Sequence, residues 1–109
     1  SGLDADTLDG TELADIAGGY STAVTKTADA TAIDRQVVLA DATNRNINIT
    51  LPSATDGQLI TVKKIDSSNN AVNILTPGAE TIDGQSSITL TNQFAARETV
   101  SNGANYFII

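Results

Sequence analysis

The sequence GQLITVKKIDSSNNAVNIL, residues 57–75, carries the clearest strand signal of the chain. Two apolar runs rich in β-branched residues flank a polar pentad, DSSNN, at residues 66–70. Large aliphatic residues alternate within each run, as Ile60 and Val62 do in the first, so that one face of an extended chain is apolar. Because Asp, Ser and Asn favour turns, the stretch predicts a β-hairpin that closes at the pentad.

Similar strand signals recur on both sides of this stretch, at a spacing of about ten residues. Residues 46–51 alternate most clearly, and Pro52 ends that run. Further runs cover residues 37–40, 87–91, 96–101 and 106–109. The pattern predicts an all-β head over residues 36–109, built as an antiparallel β-sandwich or a jelly-roll-like unit.

Residues 1–35 differ from the head in charge and in pattern. Residues 1–34 hold seven acids and one base, whereas residues 35–109 hold six acids and five bases. Thr11 is a suitable N-cap, and the Gly18-Gly19 pair is a suitable stop, for a short helix near residues 11–17. We therefore expect residues 1–35 to form an acidic, extended or short-helical stem, with one strand signal over residues 20–27.

The composition limits the size of the core and the choice of partners. The chain has 109 residues, with two Tyr, two Phe and no Trp or Met, which predicts one small domain with a thin core. A thin core favours self-association as a further source of stability. The net charge of −7 argues against nucleic acid and anionic membranes as partners, and no apolar stretch is long enough for membrane insertion. Because the chain opens at Ser1 without Met, we expect it to be a fragment of a longer polypeptide.

The residue types also bear on catalysis and cofactors. The chain has no His and no Cys, which excludes triads that need either residue. Residues 4–12, DADTLDGTE, resemble a calcium loop, but their spacing does not match the EF-hand pattern. We expect no enzyme activity, no metal site and no cofactor.

Several segments together resemble the C-terminal domain of bacteriophage tail-fibre and other virion-fibre proteins. They are VVLADAT at 37–43, NINITLPSA at 46–54, KKIDSSNNAV at 63–72, ETIDG at 80–84 and SNGANYFII at 101–109. The segment LDADTLDGTELADI, at 3–16, is similar to one that often precedes a trimeric fibre tip. The resemblance implies a homotrimeric, β-rich tail or head appendage of a virion.

This resemblance leads to one expected function and leaves alternatives open. The expected function is a non-enzymatic phage fibre domain, structural and binding a receptor on the host surface, either a glycan or a protein. Other virion proteins would attach through its N-terminal side. The alternatives are a purely structural capsid head fibre or fibre-trimerisation cap without receptor binding, and a carbohydrate-binding module.

Loops are the natural contact sites on a β scaffold. Tyr106 and Phe107 are adjacent, so in a strand their side chains point to opposite faces. We therefore expect one of the two rings to lie in the core. Phe94 lies in a turn-like segment and is the aromatic most suited to exposure. Further candidate loops cover 41–46, 76–78 and 102–105. The predicted contact residues are Asp66, Ser67, Ser68, Asn69, Asn70 and Phe94.

Overall fold

The computed structural model describes residues 19–109, which form nine strands and no helix. In chain order the strands are β1 (Thr22–Lys26), β2 (Ala30–Thr31), β3 (Gln36–Ala40), β4 (Ile47–Thr50), β5 (Leu59–Lys64), β6 (Val72–Leu75), β7 (Ser87–Leu90), β8 (Ala96–Ser101) and β9 (Tyr106–Ile108). Sheet A has the order β9-β8-β5-β3-β1, and sheet B has the order β2-β4-β6-β7. The all-β class predicted from the sequence is confirmed.

The first six strands alternate between the two sheets. Each passage of the chain from sheet A to sheet B and back is one winding, so successive strands within a sheet run parallel. The register aligns Gln36 of β3 with Ile60 of β5, and Ile47 of β4 with Val72 of β6. After β6 the direction reverses, because β7 is antiparallel to β6, β8 to β5 and β9 to β8. Both sheets are therefore mixed.

Buried residues from both sheets form one hydrophobic core. Alternation puts Val38, Ile60 and Val62 of sheet A on the buried side, together with Ile49 and Ile74 of sheet B. Tyr106 is the aromatic side chain of this core, whose other members are aliphatic. Burying an Ile or Val side chain contributes about 1.5–3 kcal/mol, so small aliphatic residues carry most of the stabilisation.

The predicted hairpin over residues 57–75 is wrong, although both of its strands exist. Strand β5 pairs with β3 and β8 in sheet A, whereas β6 pairs with β4 and β7 in sheet B. Residues 65–71 cross from one sheet to the other instead of closing a tight turn. Period-two alternation reports which face of a strand is buried, and it does not report which strand lies beside it.

The predicted wholly antiparallel architecture is also wrong, because four of the seven strand pairings in residues 19–109 are parallel. Strands β1 and β2 lie before the predicted boundary at residues 35 and 36, and they pair with β3 and β4. The predicted helix near residues 11–17 lies outside the described residues, as does most of the predicted stem.

The winding defines two ends of the molecule. The turn end holds the connections at residues 27–29, 41–46, 65–71 and 91–95, and the far end holds those at 32–35, 51–58, 76–86 and 102–105. The predicted contact loops are therefore split: 41–46 and 66–70 lie at the turn end, whereas 76–78 and 102–105 lie at the far end.

The outer faces of the two sheets differ in polarity. Sheet A turns six large apolar side chains outward, which we call the apolar face: Val37, Leu39, Leu59, Val100, Phe107 and Ile109. Sheet B turns outward mainly polar side chains, which we call the polar face: Thr31, Asn48, Thr50, Asn73, Ser87 and Thr89. On the polar face Asn73 Nδ2 donates to Asn48 Oδ1 at 3.0 Å, and Thr89 Oγ1 donates to Asn73 Oδ1 at 2.9 Å.

Candidate functional site

A buried ion pair organises the turn end. Lys64 continues the alternation of Ile60 and Val62, so its stem lies on the buried side of β5 and the residue is 0% exposed. Its ammonium nitrogen lies 2.6 Å from Asp66 Oδ2 and also donates to the carbonyls of Asp66, at 3.2 Å, and Ser68, at 3.1 Å. The buried ammonium is thus surrounded by acceptors, as a buried charge requires.

The same carboxylate ties together two loops that are far apart in sequence. Asp66 Oδ1 accepts the backbone N–H of Ala42 at 2.8 Å, and Asp66 Oδ2 accepts the Ser68 hydroxyl and the Ser68 N–H. Asn70 Nδ2 donates to the Ala42 carbonyl at 2.8 Å. Residues 66–70 are therefore stacked on residues 41–43 of the preceding winding.

These contacts control the ionisation of Asp66. Burial on its own would raise the pKa of the carboxyl, but the hydrogen bonds from Lys64, the Ser68 hydroxyl and the amides of Ala42 and Ser68 hold the pKa well below its usual range. The carboxylate is charged and fully engaged at neutral pH. Its first role is therefore to hold the loop.

The loop before β8 brings Phe94 to this end. Phe94 N donates to the Lys64 carbonyl at 2.6 Å, and Gln93 Nε2 donates to the Ile65 carbonyl at 3.3 Å. The Phe94 side chain is 59% exposed, and Lys63 Nζ lies 5.5 Å from the centroid of its ring. Residues 92–95 therefore lie beside the start of the 65–71 loop.

Phe94 adopts a backbone conformation that bulky residues avoid. Its φ is +68°, in the left-handed region. Two other residues with side chains share that region, Arg35 at +62° and Asp83 at +50°. Arg35 Nη1 donates to the Gly19 carbonyl at 2.7 Å, and Asp83 Oδ1 accepts the Ile108 N–H at 3.1 Å. The side chains of Arg35 and Asp83 thus make hydrogen bonds that explain why these residues hold a left-handed conformation. The Phe94 ring makes no such bond and faces solvent.

Charge is distributed unequally between the two ends. Of the six bases in residues 19–109, five lie at the turn end: Lys26, Arg45, Lys63, Lys64 and Arg97. Of the eight acids in the same range, three lie there: Asp29, Asp41 and Asp66. The far end holds one base, Arg35, with four acids: Asp34, Asp56, Glu80 and Asp83. Within residues 19–109 the turn end is therefore the more basic of the two ends.

The predicted contact residues occupy different environments. Ser67, Asn69 and Phe94 are exposed, and Ser68 and Asn70 are half-buried by their contacts with the 41–43 loop. Asp66 is 8% exposed and serves the ion pair. The prediction that Phe94 is an exposed aromatic is confirmed, and so is the opposite orientation of Tyr106, which is buried, and Phe107, which is 41% exposed. Of the two adjacent lysines, Lys64 is buried and its ammonium pairs with Asp66.

Sequence reasoning missed the part that Lys63 and Lys64 play at this end. A signal for Lys64 was present, since period-two alternation places it in phase with Ile60 and Val62. No local signal links Lys63 to Phe94, because that contact depends on the antiparallel pairing of β5 with β8.

The described residues offer no enclosed site for a small ligand. Residues 19–109 form no pocket, and within the same range no three acidic, His or Cys side chains gather as metal ligands. In that part of the chain no helix has the length and apolarity needed to cross a membrane. Any recognition by the turn end would therefore use an open surface.

No family model matches this chain, and no match was found among curated proteins.

Proposed function

We propose that this chain is a non-enzymatic domain of a bacteriophage fibre, which assembles as a homotrimer on the virion and contacts the host surface through its turn end. The resemblance of residues 37–109 to virion-fibre domains motivates the class of protein. The observation that carries the proposal is the apolar face, because a sheet face with this many outward and only partly covered apolar side chains is typical of a surface that another chain covers.

The apolar face supports association with further copies of the same chain. Phe107 and Ile109 are 41% and 65% exposed in the single chain, and Val100 and Leu59 lie in register with Phe107 across the sheet. Its charged residues are the acid Glu98 and the base Lys63, so the face is close to neutral and can complement itself. Lys63 lies at the turn-end edge of the face, beside Phe94, and this edge stays accessible when the centre of the face is covered. Covering it would add apolar burial to a core made mainly of aliphatic side chains.

Within each chain, we propose that sheets A and B pack face to face as a β-sandwich. The shared hydrophobic core supports this arrangement. The polar face would then remain in water, and its Asn48–Asn73–Thr89 hydrogen-bond ladder is consistent with that position. The loops at the two ends stay accessible when the apolar face is covered.

Multi-angle light scattering tests the assembly directly. The expected result is a mass three times the 11.2 kDa of one chain at micromolar concentration. Phe107→Glu places a charge on the apolar face and should shift the mass towards one chain. Thr89→Glu is the matched control, because it adds the same charge to the polar face, and it should leave the mass unchanged. A wild-type chain that elutes at 11.2 kDa would contradict the trimer.

A second experiment tests contact with the host. A fluorescently labelled chain should bind cells of the strains that a phage carrying this domain infects and should compete with adsorption of that phage. A trimer that neither binds cells nor competes would favour the purely structural alternative, a head fibre or trimerisation cap.

A further inference from the structure

We propose that Phe94 and Lys63 form a binding site for an acidic sugar, in which the Phe94 ring stacks against the sugar ring and Lys63 pairs with its acidic group. The inference deepens the proposed host contact and rests on it for its biological meaning. The conformation, exposure and charge of the turn end support the site itself.

The backbone conformation of Phe94 indicates that its side chain serves a function and does not stabilise the fold. A bulky residue in the left-handed region costs free energy, and such strain persists mainly at functional positions. Glycine would satisfy the same turn without that cost. The Phe94 ring is 59% exposed, so little apolar burial offsets the strain. The backbone contact with Lys64 needs no particular side chain at position 94.

The surroundings of the ring fit a sugar. The apolar C–H face of a sugar ring packs well against an aromatic face, while its hydroxyls need hydrogen-bonding partners. Exposed amide and hydroxyl groups lie on the same and the adjoining loop, at Asn92, Gln93, Ser67 and Asn69. An open platform of this kind suits a polymer, and residues 19–109 form no pocket that would suit a small free ligand.

The charge of the turn end selects an acidic sugar over a neutral one. The Lys63 ammonium lies 5.5 Å from the ring centroid and marks a ring face that a ligand can reach. Its stem is flexible, so a stacked sugar can displace the ammonium to the ring edge, where it meets a carboxylate. Lys64 is neutralised by Asp66 and is unsuited to this role. Three further bases at the same end, Lys26, Arg45 and Arg97, outnumber its two remaining acids, Asp29 and Asp41, and give a favourable long-range field.

The test compares migration of the chain through native gels that contain polygalacturonate, hyaluronate, polysialic acid or neutral dextran. Retardation is expected on at least one acidic polymer, should weaken as salt is added, and should be absent on dextran. Phe94→Gly should weaken binding about tenfold, the loss expected when one stacking contact is removed. Lys63→Gln should weaken it and reduce its salt dependence.

Asp83→Gly is the matched control, because it also removes a side chain from a left-handed position but lies at the far end. It should bind as the wild type does. In a urea titration the midpoint of Phe94→Gly should equal or exceed the wild-type value. A lower midpoint would assign the ring a folding role and overturn the proposal. Binding of Phe94→Gly equal to that of the wild type would overturn it too, as would no retardation on any acidic polymer.

The failure of this inference can be separated from failure of the proposed function. If Phe94→Gly still binds host cells while the trimer is intact, the fibre role stands and the Phe94 site fails. If the chain binds an acidic polymer through Phe94 but neither assembles nor binds cells, the site stands and the fibre role fails.

Discussion

At the turn end the loops are anchored by a buried ion pair, Lys64 and Asp66, whereas at the far end Tyr106 anchors a loop through a neutral hydroxyl. Tyr106 Oη donates to the Pro52 carbonyl at 2.7 Å and lies 3.0 Å from Gln58 Oε1. Both groups tie a connecting loop to a strand. The two anchors differ in what remains when one partner is removed. At the turn end a buried charge is left unpaired, whereas at the far end only a neutral hydroxyl or carbonyl is left unpaired.

The same contrast extends to the surfaces. The turn end is basic and displays a strained, exposed aromatic, whereas the far end is acidic and its two non-glycine residues with positive φ use their side chains in hydrogen bonds. Because Lys64 and Asp66 hold the turn end from the inside, exposed loop side chains such as Phe94 are not needed for that anchoring. Substitutions at the two ends should separate the effects of the interior anchors from those of the exposed residues.

The largest effect is expected from Asp66→Ala. The substitution leaves the fully buried Lys64 ammonium without its carboxylate and should lower the free energy of unfolding by about 3 kcal/mol, measured by urea titration. Asp41→Ala is the matched control in the neighbouring loop. Asp41 caps Thr43 N and Oγ1 but holds no buried base, so its loss should cost about 1 kcal/mol. Equal costs at the two positions would contradict the anchoring role of the ion pair.

The anchor should also give the turn end a distinct acid sensitivity. The folded-state pKa of Asp66 lies below that of the unfolded chain, so protons bind the unfolded state preferentially. The stabilisation by Asp66 is complete well above the unfolded pKa of about 3.9 and is lost as the pH falls below it. In Asp66→Asn this part of the pH dependence should vanish. Its persistence in that variant would assign it to other carboxyls.

Tyr106→Phe should have a smaller effect at the far end. It keeps the ring in the core and removes the hydroxyl, leaving the Pro52 carbonyl without that donor, so a loss of about 1 kcal/mol is expected. Burial, together with the charges of Glu80 and Asp34, raises the pKa of Tyr106 to about 12. Its contribution is therefore complete below pH 10 and is lost as the pH rises towards 12.

Tyr20 also contributes to the loss of stability between pH 10 and 12, so its contribution must be distinguished from that of Tyr106. Burial and the neighbouring Glu98 raise the pKa of Tyr20 to about 12 as well, although a hydrogen bond with Thr61 opposes the shift. The two single Phe variants should each remove part of the stability loss between pH 10 and 12, and the double variant should remove more. An unchanged alkaline curve in Tyr106→Phe would contradict its role as the far-end anchor.

The smallest effect on stability is expected from the matched pair Phe94→Gly and Asp83→Gly. Relief of left-handed strain is offset by the greater freedom of glycine in the unfolded chain, so Phe94→Gly should change the free energy of unfolding by no more than about 1 kcal/mol, in the stabilising direction. Asp83→Gly also loses the hydrogen bond to Ile108 N and should be close to neutral or slightly destabilising.

Much of the strand content was predictable from the sequence, because alternation of aliphatic residues is a local property. The runs at 46–51 and 96–101, and both apolar runs within 57–75, contain strands close to the predicted positions. The parallel winding was not predictable in this way. A seven-residue polar connection at 65–71 fits either a loose hairpin or a crossing between sheets, and the choice depends on contacts with Ala42, which lies 24 residues from Asp66.

The candidate site was predictable only in part for the same reason. Turn chemistry located the 66–70 loop, and the isolated position of Phe94 indicated exposure. Composition could not reveal that Asp66 turns inward, since the signal lies in Lys64, two residues earlier and in phase with the core. The meeting of Lys63 with Phe94 follows from the β5–β8 pairing, a non-local contact.

We propose that the turn end, and not the far end, meets the host surface. The most direct measurement is binding of fluorescently labelled wild type, Phe94→Gly and Asp83→Gly to cells of a strain that the wild-type domain labels, each variant first shown by light scattering to assemble as the wild type does. Phe94→Gly should lose most of its cell binding, while Asp83→Gly should keep it. Loss of binding in Asp83→Gly with retention in Phe94→Gly would contradict contact through the turn end.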